Sequence, residues 1–326
     1  MNANDRKQGG VGALLSGLGR ALQWRLLLLW ALGLALPALV ATLPLWRALS
    51  ARLDHSVHAQ ALAERFDFAW MYEAVARVLR ENGDVIAGSG IASVALALLL
   101  APWLTGMAVA SIRAGQVLGF ANLLQLGLRE YGRMARMLLW ALVPVGLALV
   151  VGGAVSNWAE DGASIKVLSA EAENLRRVGL IVTAVLFVLA HATLEAGRGV
   201  LAADPARRSA VKAWGRGVLL LARRPLAVLV VYVGTMLAGE GLALGFAFAR
   251  TQVNAASVGG MLAGVLLVQL IVAAIAWGRV ARLYGMAALA RDAQHRHATR
   301  HARREAAAKQ HAVAQAQADM AEPAVA

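Results

Sequence analysis

The chain has no cysteine, which excludes disulfides, cysteine nucleophiles and thiolate metal sites while leaving the compartment open. Lysine is scarce, occurring four times among 32 basic residues. Charge is scarce as well, at 16% of residues against roughly 25% in soluble domains. There is no Gly-x-Ser-x-Gly elbow, no His-Glu-x-x-His helix and no Walker glycine loop, so neither hydrolase nor ATPase chemistry finds a motif. No cofactor is implied. What the chain does have is apolar sequence, at 59% of residues. That composition belongs in a bilayer.

Six runs reach the ~20 residues needed to cross hydrocarbon: 26–45, 91–112, 137–155, 178–197, 226–248 and 260–284. The first exceeds the ~7–15 residues of a signal-peptide core and is not followed by a small-residue cleavage site, so it reads as a retained signal anchor. The predicted fold is therefore all-α and polytopic. A basic arm (1–25) precedes a transmembrane domain (26–290), and a tail rich in Ala, Arg and His follows (291–326).

The net charge of +13 raises the question of nucleic acid. Its distribution answers against it. Cations concentrate on the arm, on the second and fourth connections and after the last span, whereas Asp54, Glu64, Asp67, Glu73, Glu81, Asp84, Glu160, Asp161, Glu171 and Glu173 occupy the first, third and fifth. By the positive-inside rule both termini are cytoplasmic and the acidic loops face outward. With a GC-rich bacterial composition, the expected site is the inner membrane.

The pattern recurs three times, each unit being a basic amphipathic stretch, a span, an acidic loop and a returning span. Gly17, Leu18, Leu28 and Trp30 match Gly127, Leu128, Leu138 and Trp140, and a weaker third copy sets Gly215 against Gly127. The returning spans echo one another through Gly197 and Asp204 against Gly285 and Asp292, with Gly106 a poorer match. Helical stripes accompany the cations: Val11, Leu14, Leu18 and Leu22 on the arm, Val117, Phe120, Leu124, Leu128 and Tyr131 beside Arg129, Arg133 and Arg136, and Val211, Trp214, Val218 and Leu221 near Arg207, Arg208, Lys212, Arg216, Arg223 and Arg224. Such helices either pack as elbows beneath the bundle or lie on anionic lipid. The only long outer loop, 46–90, is predicted to hold short helices within Ala61–Arg80, ending at Glu81, Asn82 and Gly83.

Four ionisable residues fall inside spans, where exposure to hydrocarbon is costly: His191, Glu195, Glu240 and Arg279. His191 and Glu195 share a helix face. Glu195 is expected to meet Arg279, and Glu240 to sit ~22 Å along its helix, nearer the outer side. Gly241 with Gly245, Gly260 with Gly264 and Gly234 with Ala238 point to close packing of the last two spans. Asp54, His55 and His58, and likewise His295, His297 and His301, lack the convergence that a metal site requires, and no metal is predicted.

The Gly-x-x-x-Leu-Ala-x-Asp unit at Gly197–Asp204, the Ala222, Arg223, Arg224, Pro225 ending and the apolar run Leu226–Val233 resemble uncharacterised six-helix bacterial membrane proteins. These are similar to the membrane region attached to some glycerophosphodiester phosphodiesterases. The resemblance implies a membrane module working beside lipid or a partner protein, with no catalytic residue carried over. On the sequence, the leading reading is a non-enzymatic, lipid-proximal scaffold or accessory subunit. The alternative is a small transporter or permease built around the four intramembrane residues. Orientation is directly testable in this cysteine-free chain: Asp161→Cys should react with an impermeant maleimide in intact cells while Arg216→Cys reacts only after lysis, and the reverse pattern would invert the topology.

Overall fold

The computed structural model describes residues 9–53, 68–166, 168–254 and 257–321. Among them the structure is all helical: α1 (Gly10–Arg20), α2 (Trp24–Leu53), α3 (Phe68–Glu81), α4 (Gly83–Ala114), α5 (Phe120–Ser164), α6 (Ser169–Ala203), α7 (Ala210–Arg223), α8 (Pro225–Thr251) and α9 (Val258–Ala321). Six of these, α2, α4, α5, α6, α8 and α9, are long and apolar enough to cross a membrane. They contain all six runs read from the sequence. The outer-loop helix falls at Phe68–Glu81, within the predicted stretch, while Asp54, His55 and His58 lie outside the described residues.

The breaks between helices have local causes. Helix α4 stops at Gly115, whose φ of 67° is the left-handed conformation that glycine adopts without a Cβ penalty. Helix α7 starts where the Ser209 hydroxyl accepts a 3.3 Å hydrogen bond from the Lys212 N–H. Pro225 then opens α8 at a position where a missing N–H costs nothing. The second basic stretch has no such break. Its stripe from Phe120 to Tyr131 is the first part of α5 and runs straight on into the span, whereas α1 and α7 are separate helices.

Three crossings hold one end of the bundle together, each made where a glycine lets two backbones touch. A Cβ on Gly17 of α1 would lie 2.7 Å from the Ala281 carbonyl oxygen and 3.0 Å from the Gly285 nitrogen. On Gly106 it would lie 2.5 Å from the carbonyl oxygen of Gly127 in α5. On Gly217 of α7 it would lie 2.5 Å from the Gly197 nitrogen. The third crossing thus uses Gly217 and not the aligned Gly215, which has nothing within 4 Å. The faces turned inward are the small ones, Ala13 and Gly17 on α1 and Ala210, Ala213 and Gly217 on α7. Their larger neighbours Val11, Leu22 and Val211 are exposed.

Within the spans, α8 and α9 do pack closely, but through Gly239 against Gly278. Gly241 and Gly245 face open space, and Gly234 receives Leu14 of α1. The α5–α6 pair is packed along its length, with Gly152 against Thr183, Gly179 against Ala159, and Arg176 gripping Glu160 at 2.8 and 2.9 Å. Between the pairs the packing is lopsided. Buried residues of α4 all lie at Pro102 or beyond, and those of α6 concentrate between Ala192 and Ala202. The bundle is therefore tight at the basic end and splayed at the other.

Polar ties reinforce the tight end. The Gln23 amide donates to the Tyr284 hydroxyl (3.0 Å), Tyr284 donates to Ser111 (2.8 Å), and Ser111 donates back to the Gln23 carbonyl (2.8 Å). This closed ring joins the α1–α2 junction to α4 and α9. Overpacking a backbone crossing costs roughly 1–3 kcal/mol, so Gly217→Leu should lower the detergent-solubilised melting midpoint by several degrees while Gly215→Leu leaves it unchanged; equal effects would refute the crossing.

Candidate functional site

Splaying leaves a cavity of about 510 Å³ between the helix pairs, bordered by α2, α4, α6, α8 and α9. All four intramembrane residues singled out from the sequence, His191, Glu195, Glu240 and Arg279, line it. Three further polar groups that the sequence reading had not placed there join them: Arg198, Tyr232 and Arg282. Along α6 and α4 the lining runs from Phe187 to Arg198 and from Val94 to Thr105, a depth of ~16 Å at 1.5 Å per residue.

At its inner end Glu195 is buried and paired with Arg198, Nη1 to Oε1 2.5 Å. This corrects the expected Glu195–Arg279 pair. Arg198 lies one turn along the same helix and reaches the carboxylate without any interhelical fit, whereas Arg279 is exposed on the cavity border. The imidazole of His191 sits 3.6 Å from Glu195 and shares a 2.7 Å hydrogen bond, through Nδ1, with the Tyr232 hydroxyl. Phe187 stacks on the same ring, with centroids 6.2 Å apart. Helices α6 and α8 are thereby joined across the cavity wall.

Arg282 is a buried charge held by three different side chains. It is 6% exposed, its guanidinium lies over the Tyr232 ring at 4.7 Å from the centroid, and its Nε donates to the Thr235 hydroxyl at 3.3 Å. Thr235 can accept because its own hydroxyl proton goes to the Val231 carbonyl at 2.7 Å. The nearest carboxylate oxygen to Arg282 Nη2 is Glu240 Oε1 at 3.7 Å, an ion pair too long for a hydrogen bond. Consequently Arg282 Nη2 and Glu240 Oε2 are both buried with no hydrogen-bond partner. One is a donor and the other an acceptor. The sequence offered one clue to Arg282: it stands three residues after Arg279 and so shares its helix face.

Around the cavity the charges are unequal. Three guanidiniums face two carboxylates, and the opposite wall, from α2 and α4, is apolar apart from Thr105 and the Trp30 indole N–H, which is buried without a partner. Bound solutes with an excess of negative charge suit such a site.

The cations nominated as lipid-facing divide into two groups. Arg133 holds Glu130 at 3.1 Å and donates to the Asp204 and Arg207 carbonyls, Arg207 holds Asp204 at 3.0 Å, and Arg224 holds Asp292 at 2.6 Å. Arg113 joins this layer by binding Glu130 at 2.5 Å and capping the Leu201 and Ala202 carbonyls at the end of α6. These arginines tie elbows to spans. Arg129, Arg136, Arg208, Lys212, Arg216 and Arg223 are exposed. Arg136 and Arg208 border a groove of about 610 Å³ with Leu139, Trp140 and Val211. His295 and His297 lie on α9, the side chain of His301 is outside the described residues, and no metal-holding group of three or more His, Asp or Glu occurs among the described residues.

No family model matches this chain, and no curated protein or solved structure is similar to it. The functional argument rests on the cavity itself. Removing one member of a buried ion pair strands its partner at a cost of ~3 kcal/mol. Glu195→Ala should therefore lower the melting midpoint markedly, whereas Glu173→Ala, which breaks an exposed pair with Arg177, should scarcely move it. Equal shifts in the two variants would show that the Glu195 pair is not structural.

Proposed function

We propose that this protein is a non-enzymatic permease that admits an anionic solute into the cavity between its helix pairs, in preference to the scaffold reading. One observation carries this: Glu195, Glu240 and Arg279, from three helices, border a single cavity. Isolated structural ion pairs would leave no shared space among them. Ionisable groups placed in apolar spans and turned toward a common void are the usual mark of a substrate path.

The same reading covers the wider architecture. The three glycine crossings support a threefold repeat of elbow and helix pair, with each elbow seated on the returning helix of the preceding unit and α1 closing the ring on α9. Arg129, Arg136, Arg208, Lys212, Arg216 and Arg223 face anionic headgroups, with the exposed Val11, Leu22, Leu128 and Val211 dipping into acyl chains. Both termini are then cytoplasmic, in a bacterial inner membrane, and the cavity widens toward the periplasm. A scaffold role for the basic underside is compatible with transport, as is the likeness to the membrane region attached to some glycerophosphodiester phosphodiesterases.

Water access is the decisive property. Ala101 lines the cavity and Leu142 is exposed on the outer face of α5. In proteoliposomes, Ala101→Cys should react with charged methanethiosulfonates, the anionic ethylsulfonate faster than the cationic trimethylammonium reagent, while Leu142→Cys stays inert. Equal inertness at both positions would refute a solvated path.

A further inference from the structure

We infer that the ligand of this cavity is a membrane amphiphile with an anionic phosphodiester headgroup carrying a hydroxyl, held head-inward with its chain along α2 and α4. The inference rests on the permease reading and specifies what enters. Its first support is the pair of orphan atoms. Arg282 Nη2 is a buried donor and Glu240 Oε2 a buried acceptor, each without a partner, in side chains 3.7 Å apart. Unsatisfied buried polar groups are costly, and a ligand that completes both recovers that cost. Phosphate oxygens match a guanidinium fork. A neighbouring hydroxyl supplies the hydrogen that Glu240 lacks, which a simple fatty-acid carboxylate could not.

Charge agrees with this. Glu195 is matched by Arg198 at 2.5 Å, leaving Arg282 shared loosely with Glu240 and Arg279 without an ion pair among the described residues. The surplus is about one positive charge, as a phosphodiester requires.

The second support is the opposite wall. Trp30, Leu34, Val94, Leu98 and Leu104 present a continuous apolar surface across from the arginines. A small hydrophilic anion would leave that wall, most of a 510 Å³ space, unfilled or wet. Val94 and Leu98 are also 60% and 51% exposed, and Phe187 across the cavity 41%, so the apolar wall continues to the outer surface of the bundle. An acyl chain can enter along that path without leaving hydrocarbon while its headgroup moves toward Arg282.

Purified full-length protein in a maltoside detergent tests this with three probes: dioctanoyl phosphatidylglycerol, glycerophosphoglycerol, which is the headgroup alone, and dioctanoylglycerol, which is the chains alone. The complete amphiphile should raise the melting midpoint saturably, and neither half should do so at equal concentration. Arg279→Gln, at an exposed position that folding does not depend on, should weaken the apparent affinity about tenfold by removing one charge-assisted contact. Leu98→Trp should weaken it comparably by filling the chain's path. Equal stabilisation by glycerophosphoglycerol would replace the amphiphile with a soluble anion. Unchanged stabilisation of both variants would assign the effect to lipid bound elsewhere and overturn the inference. In either of those cases the permease reading survives if the thiol at position 101 is reactive, and it fails only if that thiol is inert.

Discussion

Close approach of backbones at one end of the bundle is the constraint from which the rest of this structure follows. Lipid tails are as apolar as leucine, so helices in a bilayer gain little by hiding leucine and associate where small residues allow dense contact. Here the small residues gather at the basic end, in Gly17 with Gly285, Gly106 with Gly127, and Gly217 with Gly197. Toward the opposite end the α5–α6 pair stays closed through Gly152 and Gly179, while α4 carries Val85, Ile91 and Val94 exposed. Helices pinned at one end and bulky at the other diverge. The cavity lies where glycines do not meet a neighbouring backbone: Gly83, Gly88 and Gly90 in the outer half of α4 have nothing within 4 Å of where a Cβ would stand.

The charges then occupy the only place open to them. Arg282 is kept by an aromatic face, a threonine oxygen and a distant carboxylate, an arrangement that neutralises it without saturating it. Glu195, by contrast, is saturated by an arginine one turn away. The difference separates a closely paired carboxylate from a loosely paired one within a single wall. Below them the Arg113, Glu130, Arg133, Asp204 and Arg207 network spends its cations on carbonyls and carboxylates of the elbows. Basic residues at this end therefore serve two purposes, and burial rather than residue type distinguishes them.

Much of this was legible in the chain. Span number, the helix at Phe68–Glu81 and four of the cavity's six acids, arginines and histidine follow from hydropathy and from the cost of burying charge. What the sequence could not yield was lateral register. Gly215 and Gly217 are equally plausible by eye, and only the rotation of α7 against α6 selects the second. Gly241 and Gly245 have the expected spacing yet face outward, while the seam uses Gly239, set between the buried Thr235 and Ala243 in the same four-residue spacing but with only one glycine. Arg282 looked like the cytoplasmic end of a span because its charge suited that end. Its side chain instead reaches back into the cavity, a direction that is set by Tyr232 and Thr235 on another helix. The Gln23, Ser111 and Tyr284 ring likewise draws on three elements far apart in sequence and leaves no local signal.

The seat of α1 has a consequence for how the molecule is made. The Trp277 indole donates to the Leu18 carbonyl across 259 residues of chain, and Leu14 fits against Gly234. Helix α1 thus finds its place on α8 and α9, which are made long after it. At ~5–20 residues per second of synthesis, it waits on the order of 10 to 50 s. During that interval a short apolar helix flanked by arginines has the membrane surface as its natural resting place, and its final docking marks a chain that was translated through to its last span. A chain that stopped short of α9 would leave α1 without the Ala281 and Gly285 backbone against which Gly17 packs.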